Sequence, residues 1–501
     1  MLFNSYVFVF VFFPAVLLSW YGANRLGWSK AAQAGLVLLS LVFYGYGHPE
    51  YIVLILASVF GNYAISWMME YFGARSQNAK RVSRVLGILG IVFNLGLLFY
   101  FKYYDFFVRN INQIIDTGLT VKNIALPLGI SFFTFQQISF IADRMCRRAP
   151  HYALADYMNF VTFFPQLVAG PIVSHHDLVP QFQKIGQKSV SIFKHAEWTP
   201  VGRSNIEMGA CLFIAGLAKK VLLADKLGVL VDYGYGKIAG LDAVSAFVVM
   251  LCYTFQIYFD FSGYCDMAVG LGWMLHINLP QNFNSPYKAA SIKEFWNRWH
   301  MTLNDFFTQY IYIPLGGSRN GTMKRIRNIM IVFLISGIWH GAAWSFVLWG
   351  VAHGVLMCVE PLFEKLCKWV RWLITFSFVN LAWVLFRSGS ISTALQFYRK
   401  LFSFSYTGAV WKLAEQTEAS WNYPGRLFLS RVGAEGLTAG YPMFILLLLL
   451  VFCAFLCTRR NAYERVCARE ATAAKMWGLA ILFVLSVASF AGVTTFLYFN
   501  F

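Results

Sequence analysis

Apolar runs recur along this chain, and short polar intervals separate them. Many of these runs approach the roughly 20 residues that a helix needs to cross a bilayer. The candidate spans cover residues 6–23, 32–46, 51–71, 85–101, 124–141, 157–172, 208–223, 243–259, 326–340, 343–363, 372–386, 441–457 and 476–499. The pattern predicts an all-α polytopic membrane protein.

Two neighbouring runs contain residues that break helices. Pro127 and Gly129 interrupt the first of them, and Pro165 and Pro171 interrupt the second. Broken backbone at membrane depth is tolerated only where it faces protein or a wet cavity. We therefore expect a ring of tilted and broken transmembrane helices around a central cavity or tunnel, rather than a plain bundle.

The distribution of the runs divides the chain into three expected parts. Residues 1–110 hold the N-terminal transmembrane helices, 111–370 form a central core, and 371–501 hold the C-terminal transmembrane helices. The polar interval near 388–440 is the best candidate for an interfacial insertion. Its aromatic residues suit the headgroup belt of a bilayer, and they are Trp411, Trp421 and Tyr423.

Composition excludes the ordinary soluble classes of protein. Hydrophobic residues make up 58% of the 501 positions and charged residues only 13%, whereas a soluble domain averages about 25% charged residues. The chain is also too hydrophobic to remain disordered. Its nine cysteines include no CxxC and no Cys/His grouping at zinc spacing. We therefore expect buried thiols and no bound metal.

The net charge of +18, from 41 Lys and Arg against 23 Asp and Glu, comes from short basic clusters between apolar runs. Such clusters set membrane topology and contact anionic lipid, so we expect membrane lipid as a partner and no nucleic acid. Arg25 and Lys30 follow the first run, whereas the loop at 47–50 has no Lys or Arg. The positive-inside rule then places the N-terminus outside, and the basic loop at 459–475 places the C-terminus outside as well.

Polar side chains within apolar runs are site hypotheses, because their burial in lipid is costly. The first is His340, within SGIWHGAAW at 336–344. Thirteen residues separate it from Arg327, which is about 20 Å along a helix and places the imidazole at membrane depth. A neutral imidazole there acts as a general base. The alternative is a histidine that hydrogen-bonds to a neighbouring helix.

The second candidate is His300, within FWNRWHMTLNDFF at 295–307. Alternating aromatic and basic residues are typical of an interfacial helix that enters a cavity. His300 is either a second catalytic group or donor contact, or an interface histidine in an aromatic belt. Basic residues crowd this region and would attract a phosphate-bearing donor or anchor lipid headgroups, and they are Lys288, Lys293, Arg298, Arg319, Lys324, Arg325 and Arg327.

Other polar residues give weaker signals. His175, His176 and Asp177 resemble a fragment of a metal site, but adjacent histidines in a loop without a third ligand are usually surface residues. His353 is interpreted as a packing residue. Three polar residues of the run around position 260 either line a cavity or pair with other helices, and they are Gln256, Asp260 and Asp266.

Three motifs together resemble those of the membrane-bound O-acyltransferase family. They are FPQLVAGPI at 164–172, the stretch at 295–317 with RWH and YIPLGG, and WHG at 339–341. The opening MLFNS and the closing FLYFNF further resemble the branch that contains the alginate O-acetyltransferase membrane subunit. Ser174 and His175 are a departure, since many relatives have a basic residue there.

The resemblance implies acetyl transfer from a cytosolic thioester, acetyl-CoA, across the bacterial inner membrane to a hydroxyl group of an exported polysaccharide. It implies an extracytoplasmic acetyltransferase partner and a catalytic core at 111–370. It also implies that His340 is the catalytic histidine between donor and acceptor and that His300 accompanies it. The residues that we expect in the acyl-donor region are Asn297, Arg298, Trp299, Arg319 and Trp339.

Rival functions remain open from the sequence. A transporter or channel would also use broken helices and a buried histidine, although no internal repeat supports it. Within the family, a D-alanyltransferase acting on teichoic acid is the main rival, and the two apolar runs after position 441 argue against it. A lipid acyltransferase is a further alternative.

Overall fold

The computed structural model describes residues 1–75, 79–115, 117–194, 205–420, 440–468, 472–490 and 497. Within these residues every regular element is a helix. Among them, seven helices are long and apolar enough to cross a membrane: Phe8–Arg25, Glu50–Phe72, Lys80–Ile114, Ala243–Met274, Trp344–Phe363, Lys368–Arg387 and Tyr441–Thr458. The predicted all-α polytopic fold is confirmed.

The helices are numbered in chain order. The first part of the chain forms α1 (Phe13–Arg25), α2 (Ser29–Gly45), α3 (Glu50–Arg75), α4 (Ala79–Leu98), α5 (Tyr104–Ile114), α6 (Ile130–Met145), α7 (Leu154–Thr162), α8 (Phe164–Leu167) and α9 (His175–Lys194). The central part forms α10 (Asn205–Ala218), α11 (Asp225–Gly236), α12 (Ala243–Met274), α13 (Ile292–Trp296), α14 (Met301–Phe307), α15 (Thr322–His340) and α16 (Trp344–Val359). The last part forms α17 (Lys368–Arg387), α18 (Ile391–Leu401), α19 (Ala409–Ser420), α20 (Tyr441–Thr458), α21 (Ala462–Ala468) and α22 (Ala473–Ala488).

Contacts between helix ends define two sides of the molecule. The Tyr21 hydroxyl near the end of α1 donates to the Met274 carbonyl at the end of α12, at 2.8 Å. Arg144 near the end of α6 pairs with Glu70 near the end of α3, at 2.8 Å. We call the side on which α1, α3, α6 and α12 end the basic end. Phe132, near the start of α6, packs on Trp339, near the end of α15, so α15 runs from the basic end to the opposite end.

Helix α12 is the central helix of the fold. The Asp242 side chain accepts the Ser245 backbone N–H at 2.8 Å and caps its first turn. Neighbouring α10 approaches so closely that a Cβ on Gly270 would lie 2.6 Å from the Gly209 carbonyl oxygen. Small residues allow membrane helices to approach in this way. The two helices therefore form a tightly packed pair.

The acidic residues of α12 pair with lysines of the segment that follows α10. Lys220 contacts Asp260 at 2.6 Å, and Lys219 contacts Asp266 at 2.5 Å. Both carboxylates are thus compensated by cations, as intramembrane charges require. Of the two roles left open by the sequence, pairing with another helix is the one observed for Asp260 and Asp266.

The two predicted helix breaks are present. The chain is irregular before Gly129, whose backbone has φ +71° and starts α6. The second break follows Thr162, where α7 gives way to the single turn of α8 and then to irregular backbone at 168–174. The segments meet, since a Cβ on Gly129 would lie 2.7 Å from the Leu167 carbonyl oxygen. A glycine is required there by both the positive φ and the contact.

The predicted interfacial insertion contains α18 and α19. Asp242 holds the loop between them by accepting the backbone N–H of Thr407 at 2.8 Å and that of Ala409 at 3.3 Å. Trp411 is exposed, as a headgroup contact requires. Trp421 and Tyr423 lie outside the described residues. The division of the chain at 110 and 370 stays a prediction.

Candidate active site

His340 is the last residue of α15 and is buried. Its imidazole packs edge-on against Trp349, with ring centroids 5.1 Å apart, and against Phe386 at 5.2 Å. The preceding Trp339 packs beside it at 4.9 Å. Since α15 is helical without interruption from Thr322, His340 lies about 20 Å along the axis from Arg327. The imidazole is therefore enclosed by aromatic rings at the far end of α15 from its basic start, and its depth in the membrane stays a prediction.

His300 lies in the turn that starts α14, in a left-handed backbone conformation with φ +46°. Its Nδ1 lies 3.1 Å from the Asn282 side-chain oxygen. That same oxygen accepts the Thr302 backbone N–H at 3.2 Å and the Thr302 hydroxyl at 3.0 Å. An atom that accepts a backbone N–H must be the amide oxygen and cannot donate. His300 Nδ1 therefore carries the proton, and Nε2 carries the lone pair of the neutral ring.

Trp339 connects the two histidines. Its ring centroid lies 4.9 Å from that of His340 and 6.2 Å from that of His300. The two imidazoles are separated by 40 positions in the sequence, and they converge because α14 starts against the end of α15. The structure thus brings together three of the residues expected at the site.

Two cavities approach this group from opposite ends of the molecule. A small cavity of about 40 Å³ lies at the end of the molecule that is opposite to the basic end. Its lining consists of Lys102, Leu126, Pro127, Leu128, Gly129, Ile130, Ser131, Phe132, Val168 and Trp339. A large cavity of about 500 Å³ lies at the basic end, and its lining includes Ser139, Ile172, Thr302, Phe306 and Tyr310. The broken segments predicted from the sequence contribute to the walls of both.

An aromatic stack separates the cavities. Phe135 stacks on Phe306 with ring centroids 4.3 Å apart, and on Trp339 at 5.2 Å. Trp339 belongs to the wall of the small cavity and Phe306 to the wall of the large one. The His340 side chain lines neither cavity and lies behind Trp339. The stack therefore forms a partition of three aromatic rings beside the two histidines, with Phe135 between the two cavity walls.

The large cavity has an acidic rather than a basic lining. Among the residues that the structure describes, Asp177 and Asp305 are the only charged ones that line it. Carboxylates repel phosphate groups. The cavity therefore suits an uncharged group better than a nucleotide.

The other residues expected in the acyl-donor region lie apart from the histidines. Arg298 turns back to Glu294, at 3.0 Å, and to the Asn284 carbonyl, at 3.1 Å. Asn297 and Arg319 are exposed. Trp299 is buried in the core, where it packs on Phe295 and Trp383. The contacts of Arg298 and Trp299 are therefore made with residues other than His300 and His340, and their place in the acyl-donor region stays a prediction.

The structure places a third polar group, Asp143, beside the adjacent histidines His175 and His176. Asp143 of α6 lies 3.2 Å from His175 Nε2 and 3.9 Å from His176 Nε2. Asp143 also accepts the Tyr310 hydroxyl at 2.7 Å. Burial alone would raise the pKa of Asp143, but the hydrogen bonds from His175 and Tyr310 lower it. The buried His175 therefore has an anionic partner, and the cluster braces the wall of the large cavity.

His353 is fully buried beside the site. The Trp296 indole N–H donates to its Nδ1 at 3.3 Å, and Trp349 packs on its ring at 4.7 Å. These contacts are those of a packing residue, as the sequence indicated. His353 lines neither of the two cavities described above.

Comparisons with known proteins agree with this architecture. Residues 146–391, which include His300, Trp339 and His340, match the model of the membrane-bound O-acyltransferase family. The chain is 35% identical to the peptidoglycan O-acetyltransferase of Helicobacter pylori, over 100% of this chain and 98% of the relative. It is 36% identical to the probable alginate O-acetylase AlgI of Pseudomonas aeruginosa, over 84% and 78%. It is 31% identical to the teichoic acid D-alanyltransferase of Bacillus subtilis, over 53% and 69%.

Proposed function

The chain belongs to the membrane-bound O-acyltransferase family, and from this membership we propose that it moves an acetyl group from a cytosolic thioester, acetyl-CoA, to a hydroxyl group of a cell-envelope polysaccharide. The proposal places it in the bacterial inner membrane, with the basic end in the cytosol. The relative that matches end to end acts on peptidoglycan by its name, which supports a cell-wall glycan as the final acceptor. An extracytoplasmic acetyltransferase is the expected partner for delivery to the polymer.

The observation that carries the proposal is the placement of two histidines at a thin partition between two cavities. An enzyme that joins a cytosolic donor to an acceptor on the other side of the membrane needs one reactive group that both substrates approach. His340 and His300 lie on either side of Trp339, at ring distances of 4.9 Å and 6.2 Å. This arrangement is what a transfer between compartments requires.

The donor is assigned to the large cavity. Its volume of about 500 Å³ accommodates the uncharged pantetheine arm of CoA with its acetyl group. The nucleotide part would remain outside, because the acidic lining disfavours phosphates. Thr302 lies at the inner side of this cavity and hydrogen-bonds to Asn282, the partner of His300. The thioester thus reaches the site from the side of His300.

The acceptor is assigned to the small cavity, where Trp339 covers His340. The indole turns aside when the acceptor hydroxyl binds. His340 then takes the proton from that hydroxyl while its oxygen forms a bond to the thioester carbonyl carbon. The carbon–sulfur bond breaks, the thiolate leaves towards the large cavity, and the imidazolium returns the proton to the thiolate. In this step His300 orients the thioester or stabilises the negative charge on the carbonyl oxygen.

The test compares cells and purified protein with matched histidine variants. In cells, ester-linked acetyl groups on purified cell-wall glycan are measured for wild type, His340→Ala and His353→Ala. In nanodiscs, with soluble peptidoglycan fragments supplied as the hydroxyl acceptor, release of free CoA from acetyl-CoA is followed for the same proteins. We expect His340→Ala to lose at least a hundredfold of both signals, since general-base help is worth about 10² to 10⁴ in rate.

His353→Ala is the matched control, because His353 is equally buried and touches the same Trp349. It should retain activity in proportion to the amount of protein in the membrane. Full activity of His340→Ala at wild-type expression would reject the catalytic assignment. Release of D-alanine instead of acetate from the cell envelope would favour the D-alanyltransferase, and failure of wild type to consume acetyl-CoA would reject that donor.

A further inference from the structure

The end of α15 is capped by another helix rather than by its own chain. A helix ends with carbonyl groups that have no partner within the helix. Here α15 ends at His340, and Gly341 continues as extended backbone that donates no capping hydrogen bond. In a membrane these carbonyls need partners, since water is not available to supply them.

Two consecutive residues of the segment Lys80–Ile114 provide these partners. The Lys102 ammonium donates to the Trp339 carbonyl at 2.7 Å and to the His340 carbonyl at 3.1 Å. The Tyr103 hydroxyl donates to the Ile338 carbonyl at 2.9 Å. Three successive carbonyls, including that of the proposed catalytic histidine, are thus held from one side.

A local irregularity of the capping helix allows two neighbouring side chains to reach the same turn. Residues Phe99–Tyr103 form a π-helical segment between α4 and α5. A π turn holds more residues than an α turn, so consecutive side chains diverge less around the axis. Such segments are rare, and they are frequent at functional sites. In this chain the segment aims Lys102 and Tyr103 together at the end of α15.

The positive charge of Lys102 lies where a helix end can stabilise it. A buried ammonium at membrane depth is costly, and the partly negative carboxyl end of a helix is the place where a cation is stabilised. Of the described residues that line the small cavity, Lys102 alone is charged. Its ammonium lies 5.8 Å from the centroid of the Trp339 ring. One cation therefore touches the backbone of both residues of the Trp339–His340 pair and the wall of the acceptor cavity.

We propose that Lys102, assisted by Tyr103, is a positioning residue that fixes the Trp339–His340 turn and thereby aims the His340 imidazole at the acceptor hydroxyl. The inference rests on the proposed acetyl transfer and names a residue on which that step depends. Lys102 acts through the backbone of His340 and does not take part in bond making. Its removal should therefore slow turnover without weakening donor binding.

The experiment measures CoA release from acetyl-CoA by the full-length protein in nanodiscs, with acetyl-CoA varied. The variants are Lys102→Met, Lys102→Arg and Tyr103→Phe, with Lys122→Met as the matched control. Lys122 is a lysine of the same side of the molecule, and its ammonium lies over the Tyr104 ring at 4.8 Å. Thermal stability of each variant is measured in detergent.

We expect Lys102→Met to lower kcat at least tenfold with KM for acetyl-CoA within twofold of wild type. Lys102→Arg keeps a cation at the carbonyls and should restore kcat to within about threefold of wild type. Tyr103→Phe loses one of the three hydrogen bonds and should fall between the two. Lys122→Met should match wild type.

Three outcomes would overturn the inference. Wild-type kcat in Lys102→Met would show that the cap is not needed. A change confined to KM would show that Lys102 binds substrate instead. A parallel loss of kcat and thermal stability in both Lys102 variants, without rescue by arginine, would show a role in folding alone.

The His340→Ala protein, assayed beside these variants, separates the two proposals. If His340→Ala retains activity, the proposed function of the site fails. If His340→Ala is inactive and Lys102→Met is fully active, only the inference about Lys102 fails.

Discussion

At the scale of single residues, the protonation of His300 depends on a neighbour that is distant in the sequence, whereas the position of His340 does not. The depth of His340 follows from simple counting along α15, and the motif residues Trp339 and His340 are adjacent in the chain. The protonation of His300 does not follow from the sequence, because it depends on Asn282, which lies in an irregular segment before α13. The role of Asn282 was therefore visible only in the structure.

Replacement of Asn282 tests the assigned state of His300. In Asn282→Ala the imidazole loses the acceptor that holds its proton on Nδ1, so both ring tautomers become populated and the ring is free to turn. We expect CoA release to fall by roughly 10- to 100-fold, the range that loss of an orienting hydrogen bond gives at metal-ligating histidines. The measurement is the initial rate in nanodiscs at saturating acetyl-CoA.

Gln281→Ala is the control for Asn282→Ala. Gln281 is the adjacent residue, and its side-chain N–H donates to the Phe283 carbonyl and not to His300. An Asn282→Ala protein with the rate of Gln281→Ala would contradict the assignment of the Nδ1 proton.

Residues grouped by their place in the sequence do not stay grouped in space. Arg298 and Trp299 directly precede His300, yet Arg298 pairs with Glu294 and Trp299 enters the core. Asp143 and His175 meet at 3.2 Å although α7 and α8 separate them in the chain. Contacts set by tertiary packing carry no signal in a single sequence, and this explains both differences.

At the scale of helices, the close pair formed by α10 and α12 depends on glycine. The sequence showed the apolar runs of both helices, but it did not show which glycines face a neighbour. A Cβ on either Gly209 or Gly270 would lie within 2.6 Å of the carbonyl oxygen of the other, so neither position has room for a side chain. Which residues of a helix face its neighbour depends on the rotation of the helix about its own axis. A fully buried helix is apolar all round, so its sequence pattern does not define that rotation.

Gly270→Ala should destabilise the protein. Its added Cβ would lie 2.6 Å from the Gly209 carbonyl oxygen and 2.8 Å from the Phe213 backbone nitrogen, so α10 and α12 must separate. Overpacking of this kind costs about 1–3 kcal/mol. We expect a lower midpoint of thermal unfolding in detergent, measured by the loss of the monodisperse peak after heating.

Gly96→Ala, in α4, is the control for Gly270→Ala, because an added Cβ there has room. Nothing lies within 4 Å of a Cβ at Gly96, and alanine favours a helix over glycine by about 1 kcal/mol. Its midpoint should equal or exceed that of wild type. Equal midpoints for the Gly270→Ala and Gly96→Ala proteins would refute the close contact between α10 and α12.

At the scale of the whole molecule, the basic end and the end opposite to it are each approached by one cavity. The apolar pattern predicted the polytopic fold and both helix breaks correctly, because bilayer thickness and proline chemistry act locally. It did not predict how α6, α14 and α15 assemble around two separate cavities. The orientation of the ends in the membrane stays a prediction from the positive-inside rule.

Cysteine labelling in spheroplasts tests the orientation. The expectation that the cysteines are buried is wrong for Cys146 and Cys367, which are exposed. Both lie at the basic end, whereas the exposed His48 lies in the loop between α2 and α3 at the opposite end. We expect a membrane-impermeant maleimide to label a Cys146→Ser, Cys367→Ser, His48→Cys protein in intact spheroplasts. The same reagent should label Cys146 and Cys367 of the wild type only after the membrane is permeabilised.

The parent Cys146→Ser, Cys367→Ser protein reports the background from the remaining cysteines. If Cys146 were labelled in intact spheroplasts and the cysteine of His48→Cys were not, the orientation would be the reverse of the predicted one. The sides assigned to donor and acceptor would then be exchanged.

The stack of Trp339, Phe135 and Phe306 has a consequence for the cell's energy supply. A protein with water-filled entrances on both sides of an energised membrane risks becoming a leak for protons, and each proton that returns unused lowers the gradient that drives ATP synthesis. Three packed aromatic rings exclude the chain of water molecules along which protons would hop. If the protein transfers acetyl groups between two compartments as proposed, this partition would let it do so while the membrane around it stays charged.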